Sequence, residues 1–250
     1  MQGKVAIVTG GSQGIGAATT QHLASQGAYV VFTYSSSATL AEELAEKINA
    51  QYPSSVPPRV TALKSDAGSI TDIKALVAKT LKVYGRIDIL VLNAAVAPTV
   101  DLEHTSEETF DSTISINVKG PYFLAQEAAP HLKPGSRIIF LSTSLAASSS
   151  VKPFQLLYVA TKGAVEQIVR VLSKDLATKG ITVNAVAPGA TGTAMFYKGK
   201  TEEMVNQSKS TIPMGRLGTP EEIAEVITWL AGESSGWVTG QVIRANGGSA

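Results

Sequence analysis

The chain has 250 residues, with Lys+Arg 21 against Asp+Glu 20 and a formal net charge of +1. That balance excludes the strongly basic footprint of a nucleic-acid binder or a membrane-surface protein. Cys 0 removes disulfides, thiolate metal sites and a cysteine nucleophile, and suits a reducing compartment. The opening MQGKVAIVTGG lacks the basic segment and uncharged apolar run of a signal peptide. No apolar run approaches the roughly 20 residues of a membrane span. A cytoplasmic globular protein is expected.

In chain order, a strand over Lys4–Thr9 is followed by a helix over Gly14–Gln26. A strand over Tyr29–Tyr34 and a helix over Thr39–Gln51 come next, then Tyr52–Pro58, a Pro/Ser surface loop. Arg59–Leu63 and Ile87–Asn93 read as strands around a helix at Ser69–Tyr84. One long helix is expected over Glu107–Leu132, before a strand at Arg137–Ser142 and a helix at Tyr158–Thr178. Strands at Thr182–Ala187 and Gln241–Ala245 enclose a helix at Pro220–Ala231, with Thr219 as its cap. The near-continuous Val and Ile content suits strands covered on both faces. Such alternation predicts an α/β fold with a doubly wound parallel sheet, helices on both faces, and one domain over the whole chain. Pro188–Pro213 is long for a connection and carries Met195, Phe196, Tyr197, Met204 and Ile212. It reads as a substrate lid near residues 189–213.

The first strand ends in Thr9-Gly10-Gly11-Ser12-Gln13-Gly14-Ile15-Gly16. Glycines there permit a tight turn and let a pyrophosphate approach the positive end of a helix. After the second strand, NAD-preferring sites usually place an acid on the ribose 2′-hydroxyl. Here Tyr34-Ser35-Ser36-Ser37 stand instead, hydroxyl donors that do not repel a 2′-phosphate, so NADP(H) is expected. No Arg or Lys lies in that loop, and Gln13 stands where a base would help.

Tyr158 and Lys162 fall at i, i+4 at the head of a helix, so they share a face. A phenol normally keeps its proton to about pH 10. A neighbouring ammonium favours the phenolate, which makes the pair an acid/base for a carbonyl oxygen. The three histidines, His22, His104 and His131, share no ligand spacing, so no metal is expected. No Gly-x-Ser-x-Gly elbow supports a hydrolase.

Taken in order, Thr9-Gly10-x-x-x-Gly14-x-Gly16, Asn93-Ala94, Asn117, Ser142-Thr143-Ser144, Tyr158-x-x-x-Lys162 and Pro188-Gly189 resemble the short-chain dehydrogenase/reductase family. The resemblance runs through Gly215-Arg216-Leu217-Gly218-Thr219-Pro220-Glu221-Glu222 to the closing Gly247-Gly248. It implies a Rossmann-like seven-stranded sheet, a nicotinamide cofactor, and a homotetramer or homodimer. Carried over, Tyr158 would be the acid/base and Lys162 would lower its pKa and hold the nicotinamide ribose. Asn117 would support a water-linked proton relay. Counting from the strand puts Thr143 at the family's catalytic serine, whereas counting back from Tyr158 suggests Ser144. Strand alternation lets one neighbour point inward, which favours Ser144. Ser142 has the same parity and reads as structural or cofactor-side.

For the cofactor, the resemblance implies Gly10, Ser12, Gln13, Ile15 and Gly16 at the pyrophosphate and Tyr34, Ser35 and Ser36 at the adenosine ribose. Asp66 would contact adenine. Asn93, Ala94 and Ala95 match Asn-Ala-Gly, with Ala95 departing from the glycine and Leu92 from the Asn before it. Pro188, Gly189, Thr191 and Thr193 would meet the carboxamide. The lid and the Ser-Thr-Ser strand end are most similar to the branch of fungal hydroxynaphthalene reductases. That implies reduction of an aromatic or polyketide-like ketone, with Phe154, Met195, Phe196 and Tyr197 as an apolar wall. The alternatives are a 3-oxoacyl thioester reductase using Lys198, Lys200 and Lys209, and a non-catalytic dinucleotide sensor. Phe123, Trp229, Trp237 and the last strand are candidate subunit contacts.

Overall fold

Apolar residues, many of them β-branched, set the centre of the molecule. The strands β1 (Val5–Val8), β4 (Ile89–Leu92) and β5 (Arg137–Leu141) are buried along their whole length. So is β6 (Thr182–Pro188). With β2 (Tyr29–Tyr34), β3 (Val60–Lys64) and β7 (Val242–Ala245) they form one sheet in the order β3-β2-β1-β4-β5-β6-β7. Every pairing is parallel. The computed structural model describes residues 1–249.

Alternate residues of each strand feed two cores. Val30, Phe32 and Val60 face α1 (Gly14–Ser25), α2 (Ala38–Asn49) and α9 (Pro220–Ala231). Val31, Leu90, Ile138 and Phe140 face α3 (Ile70–Tyr84), α5 (Gly120–Ala128) and α6 (Leu156–Ala177). Truncating a fully buried Phe32 or Phe140 to Ala would cost about 3–5 kcal/mol. Because β1 sits between β2 and β4, the chain reverses direction across the sheet there. The crevice above the carboxyl ends of such strands is where ligands bind in doubly wound sheets.

Caps fix the helix ends as the sequence predicts. Thr219 Oγ1 accepts from Glu222 N at 3.2 Å while Glu222 Oε2 accepts from Thr219 N at 2.8 Å, a reciprocal capping box. Arg216 grips the same carboxylate through both guanidinium ends.

The expected helix over Glu107–Leu132 is instead α4 (Glu107–Ile114), a π-helical turn at Ser115–Lys119, α5 and a 3₁₀ turn at Ala129–His131. Two residues account for the break. Pro121 has no N–H to donate back along the helix. Gly120 presses on Ala67, where a Cβ would come within 2.0 Å of the carbonyl oxygen. The Gly120 N–H therefore bonds Ser115 O, five residues back. The expected lid contains two short helices, α7 (Ala194–Tyr197) and α8 (Glu202–Ser210). Among the described residues, no helix is long and apolar enough to cross a membrane.

Candidate active site

The glycine-rich turn lies at the carboxyl end of β1, and β4 is stitched to it. Thr9 Oγ1 accepts from both Asn93 N and Ala94 N at 3.0 Å. Asn93 Nδ2 donates back to Thr9 O at 2.9 Å and to Gly10 O at 3.1 Å. Thr9, the first residue of the glycine-rich motif, thus positions the end of β4 against the turn.

The turn fits a dinucleotide pyrophosphate. Gly10 and Gly14 have φ of +64° and +54°, a region costly for residues with a Cβ. A Cβ on Gly16 would lie 2.1 Å from Gly10 O, so the helix start approaches the turn as closely as backbone permits. Gln13, at the N-cap of α1, makes no side-chain cap. Ser12 and Ile15 are half-buried and Gln13 exposed beside it. The leading N–H groups of α1 thus remain available to an anion.

The other cofactor candidates fall around the same crevice. Tyr34 closes β2, and Ser35 and Ser36 follow it. Asp66 is exposed after β3, and its Oδ1 accepts from Gly68 N at 2.8 Å. Ala95 is half-buried next to the Asn93–Ala94 stitch. Pro188 closes β6, and Gly189 N donates to Ala245 O at 2.9 Å. Thr191 Oγ1 donates to Gly189 O at 3.0 Å. Thr193 caps α7, accepting from Phe196 N, and its methyl faces Gly14. The lid root therefore touches the glycine turn.

Tyr158 and Lys162 stand on the first turns of α6. Lys162 is 2% exposed and its Nζ donates to Leu141 O at 2.6 Å. Burial among apolar neighbours pulls the ammonium pKa down to about 8. Nζ lies 5.8 Å from the Tyr158 ring centre. The expected lowering of the phenol is not found. Burial pushes Tyr158 up to about 12, opposed only by a hydrogen bond with the Thr143 hydroxyl. Desolvation of the phenolate dominates, while the Lys162 ammonium is engaged with Leu141 O.

The two candidate hydroxyls separate cleanly. Thr143 lies beside the Tyr158 phenol, where its hydroxyl tempers the rise in the phenol pKa, and its Oγ1 also accepts from Leu145 N at 3.4 Å. Ser144 Oγ turns away and donates to Ala187 O at 3.0 Å, tying β5 to β6. The preference for Ser144 is corrected, because the strand ends at Leu141 and a 3₁₀ turn begins at Ser144. Strand alternation therefore does not govern that position. Ser142 Oγ donates to Glu166 at 2.7 Å.

The π-helical turn directs Asn117 inward, to 1% exposure. Its Oδ1 accepts from Val96 N at 2.9 Å, and its Nδ2 donates to Val96 O at 2.8 Å and to Thr161 Oγ1 at 3.1 Å. Of the suggested apolar wall, Phe154, Met195 and Tyr197 are exposed. Phe196 instead packs inside the lid against Val205, Ile212 and Leu217.

Residues 10–250 match a family model described as enoyl-(acyl carrier protein) reductase. An Arabidopsis thaliana chloroplastic NADPH-dependent aldehyde reductase is 42% identical, over 99% of this chain and 94% of that protein. A probable tetrahydroxynaphthalene reductase of Zymoseptoria tritici is 36% identical, over 99% of this chain and 94% of that protein. A Burkholderia cenocepacia short-chain dehydrogenase solved with NADP is 31% identical, with a TM-score of 0.92, over 99% of this chain and 98% of that one. Sequence, fold and comparisons agree: the chain belongs to the short-chain dehydrogenase/reductase family.

Proposed function

We propose that the protein is an NADP(H)-dependent reductase that converts a ketone to a secondary alcohol, with Tyr158 as the proton donor. The observation that carries this is the buried Lys162 ammonium 5.8 Å from the Tyr158 ring on the same helix face, with the Thr143 hydroxyl beside the phenol. NADPH, when bound, supplies the hydride. The turn from Gly10 to Gly16 would hold its pyrophosphate, and Lys162 its nicotinamide ribose. The NADP complex of the Burkholderia cenocepacia relative and the NADPH-dependence in the Arabidopsis relative's name support that choice.

A phenol whose pKa is pushed up to about 12 is fully protonated at neutral pH. An alkoxide is a stronger base, so protonation of the forming alcohol runs downhill. Thr143 would donate to the same oxygen, stabilising its developing charge. Asn117, locked by Val96 and Thr161, would hold the backbone of the π-helical turn for a water-linked proton supply to Lys162.

Exposed Phe154 and the exposed lid residues Met195 and Tyr197 offer apolar side chains to an aromatic or polyketide-like substrate, with residues 189–213 closing over it. The 3-oxoacyl thioester reading would use lid lysines as a basic patch. Lys200, however, donates to Phe196 O and stacks on the Phe196 ring at 4.3 Å, and Lys209 reaches Asn206. The ring-ketone reading is therefore the stronger. Trp237, 99% exposed, and half-exposed Trp229 support a homo-oligomer in which a second copy covers them.

The test is NADPH oxidation with a polycyclic hydroxyketone, run in parallel with a 3-oxoacyl thioester. Turnover of the ring ketone alone supports this substrate class. Turnover of the thioester alone replaces it. Tight NADPH binding with neither ketone turned over would favour a sensor.

A further inference from the structure

An NADP(H) site without a cation is electrostatically incomplete, because a 2′-phosphate brings close to two negative charges. The Tyr34–Ser37 loop holds only hydroxyls, and Gln13 is neutral. We infer that Lys64, on the neighbouring strand, supplies the missing charge to the 2′-phosphate. The inference rests on the NADP(H) reading above.

Register carries the argument. In the parallel β2–β3 pair, Tyr34 stands opposite Lys64. Adjacent strands lie about 4.8 Å apart, and in-register side chains leave the sheet on the same face. Val60 and Ala62 belong to the core under α1 and α2, as do Phe32 and Tyr34. Two residues beyond Ala62, Lys64 is directed to that face too. It is also the last residue of its strand, at the end of the sheet where the glycine turn and the Ser35–Ser37 loop lie.

Helix α2 begins immediately after that loop. Its N-cap, Ser37, makes no side-chain cap, so neither its hydroxyl nor the first N–H groups of α2 are spent on each other. Lys64 is exposed, and among the described residues no carboxylate pairs with it. Its four-carbon stem can swing the ammonium across the one-strand gap. An edge lysine can simply discourage strands from adding to the sheet. That role predicts no effect on phosphate binding, which separates the two readings.

The test measures binding of adenosine 2′,5′-bisphosphate and of adenosine 5′-monophosphate by titration calorimetry, for the full chain, Lys64→Gln and Lys64→Arg. The wild-type protein should prefer the bisphosphate. Lys64→Gln should weaken the bisphosphate about tenfold, leave the monophosphate unchanged, and flatten the salt dependence of binding. Lys64→Arg should keep most of the preference. An unchanged bisphosphate affinity in Lys64→Gln, with the wild-type preference intact, overturns the role of Lys64 alone. A wild-type protein without that preference overturns the NADP(H) reading, and this inference with it.

Discussion

Asn117 and Thr161 are joined through a hydroxyl that also serves the Tyr158 backbone. Thr161 Oγ1 accepts from Asn117 Nδ2 at 3.1 Å and donates to Tyr158 O at 2.7 Å. Thr161 is fully buried, so neither bond competes with solvent. The π-helical turn and the first turn of α6 are thereby held in one register. Thr161→Val removes both bonds at nearly constant volume and leaves Asn117 short of an acceptor. Leaving a buried donor unmatched costs about 1–3 kcal/mol. We expect kcat to fall about tenfold with little change in the KM for NADPH, and Thr161→Ser to restore it. Equal activity in the Val variant would remove Thr161 from the account.

The division of labour between adjacent hydroxyls gives a sharper comparison. Thr143 meets the phenol, whereas Ser144 is spent on Ala187 O. Thr143→Ala should lower kcat about 10²-fold, the scale of losing one donor to an oxyanion. Thr143→Ser should retain activity. Ser144→Ala should act mainly on stability, lowering it by about 1 kcal/mol. Steady-state kinetics and thermal melts on the three variants decide it. Loss of kcat in Ser144→Ala with wild-type rates in Thr143→Ala would reverse the assignment.

Much of this arrangement is legible in the sequence, and the misses have physical causes. The strand at Tyr29–Tyr34 and the helix at Pro220–Ala231 match residue for residue, because β-branched runs and a capping box are local signals. The break at Ser115–Lys119 was not legible, although Gly120 and Pro121 carried a hint. Its cause is the approach of Ala67, which comes from another part of the chain. Thr143 and Ser144 were not separable, since the choice depends on where β5 stops. The Tyr158–Lys162 spacing showed a shared helix face but not the balance between burial and charge. Lys64 carries no local signal in the sequence, because only strand register brings it beside Tyr34.

Lys162 trades stability for its position. Its pKa falls from 10.5 to about 8 because burial desolvates the ammonium, and among the described residues no carboxylate pairs with it. At about 1.4 kcal/mol for each tenfold change in proton affinity, the buried charge costs roughly 3 kcal/mol. The folded state binds this proton less tightly than the unfolded chain, so the full cost applies below pH 8. It fades as pH rises toward 10.5. Lys162→Met should therefore be inactive yet more stable, with the gain largest at neutral pH and shrinking by pH 10. Chemical denaturation across that range measures it. A variant less stable at pH 7 would contradict this cost of burying the charge.

Gly16→Ala tests the closeness of the cofactor turn. The added methyl would meet Gly10 O at 2.1 Å and Asn93 Nδ2 at 2.7 Å, neither of which can retreat without moving β1 or β4. We expect a stability loss of about 1–3 kcal/mol and at least tenfold weaker NADPH binding. Fluorescence titration with NADPH reports the second effect. Wild-type affinity would show that the turn has room to spare.

The central claim, that Tyr158 gives its proton to a carbonyl oxygen, is tested most directly by Tyr158→Phe. The measurement is kcat for reduction of a polycyclic hydroxyketone beside NADPH affinity in the same preparation. The account predicts a loss of about 10²–10⁴-fold in kcat with NADPH affinity within a few-fold of wild type. Undiminished turnover in the Phe variant would contradict it.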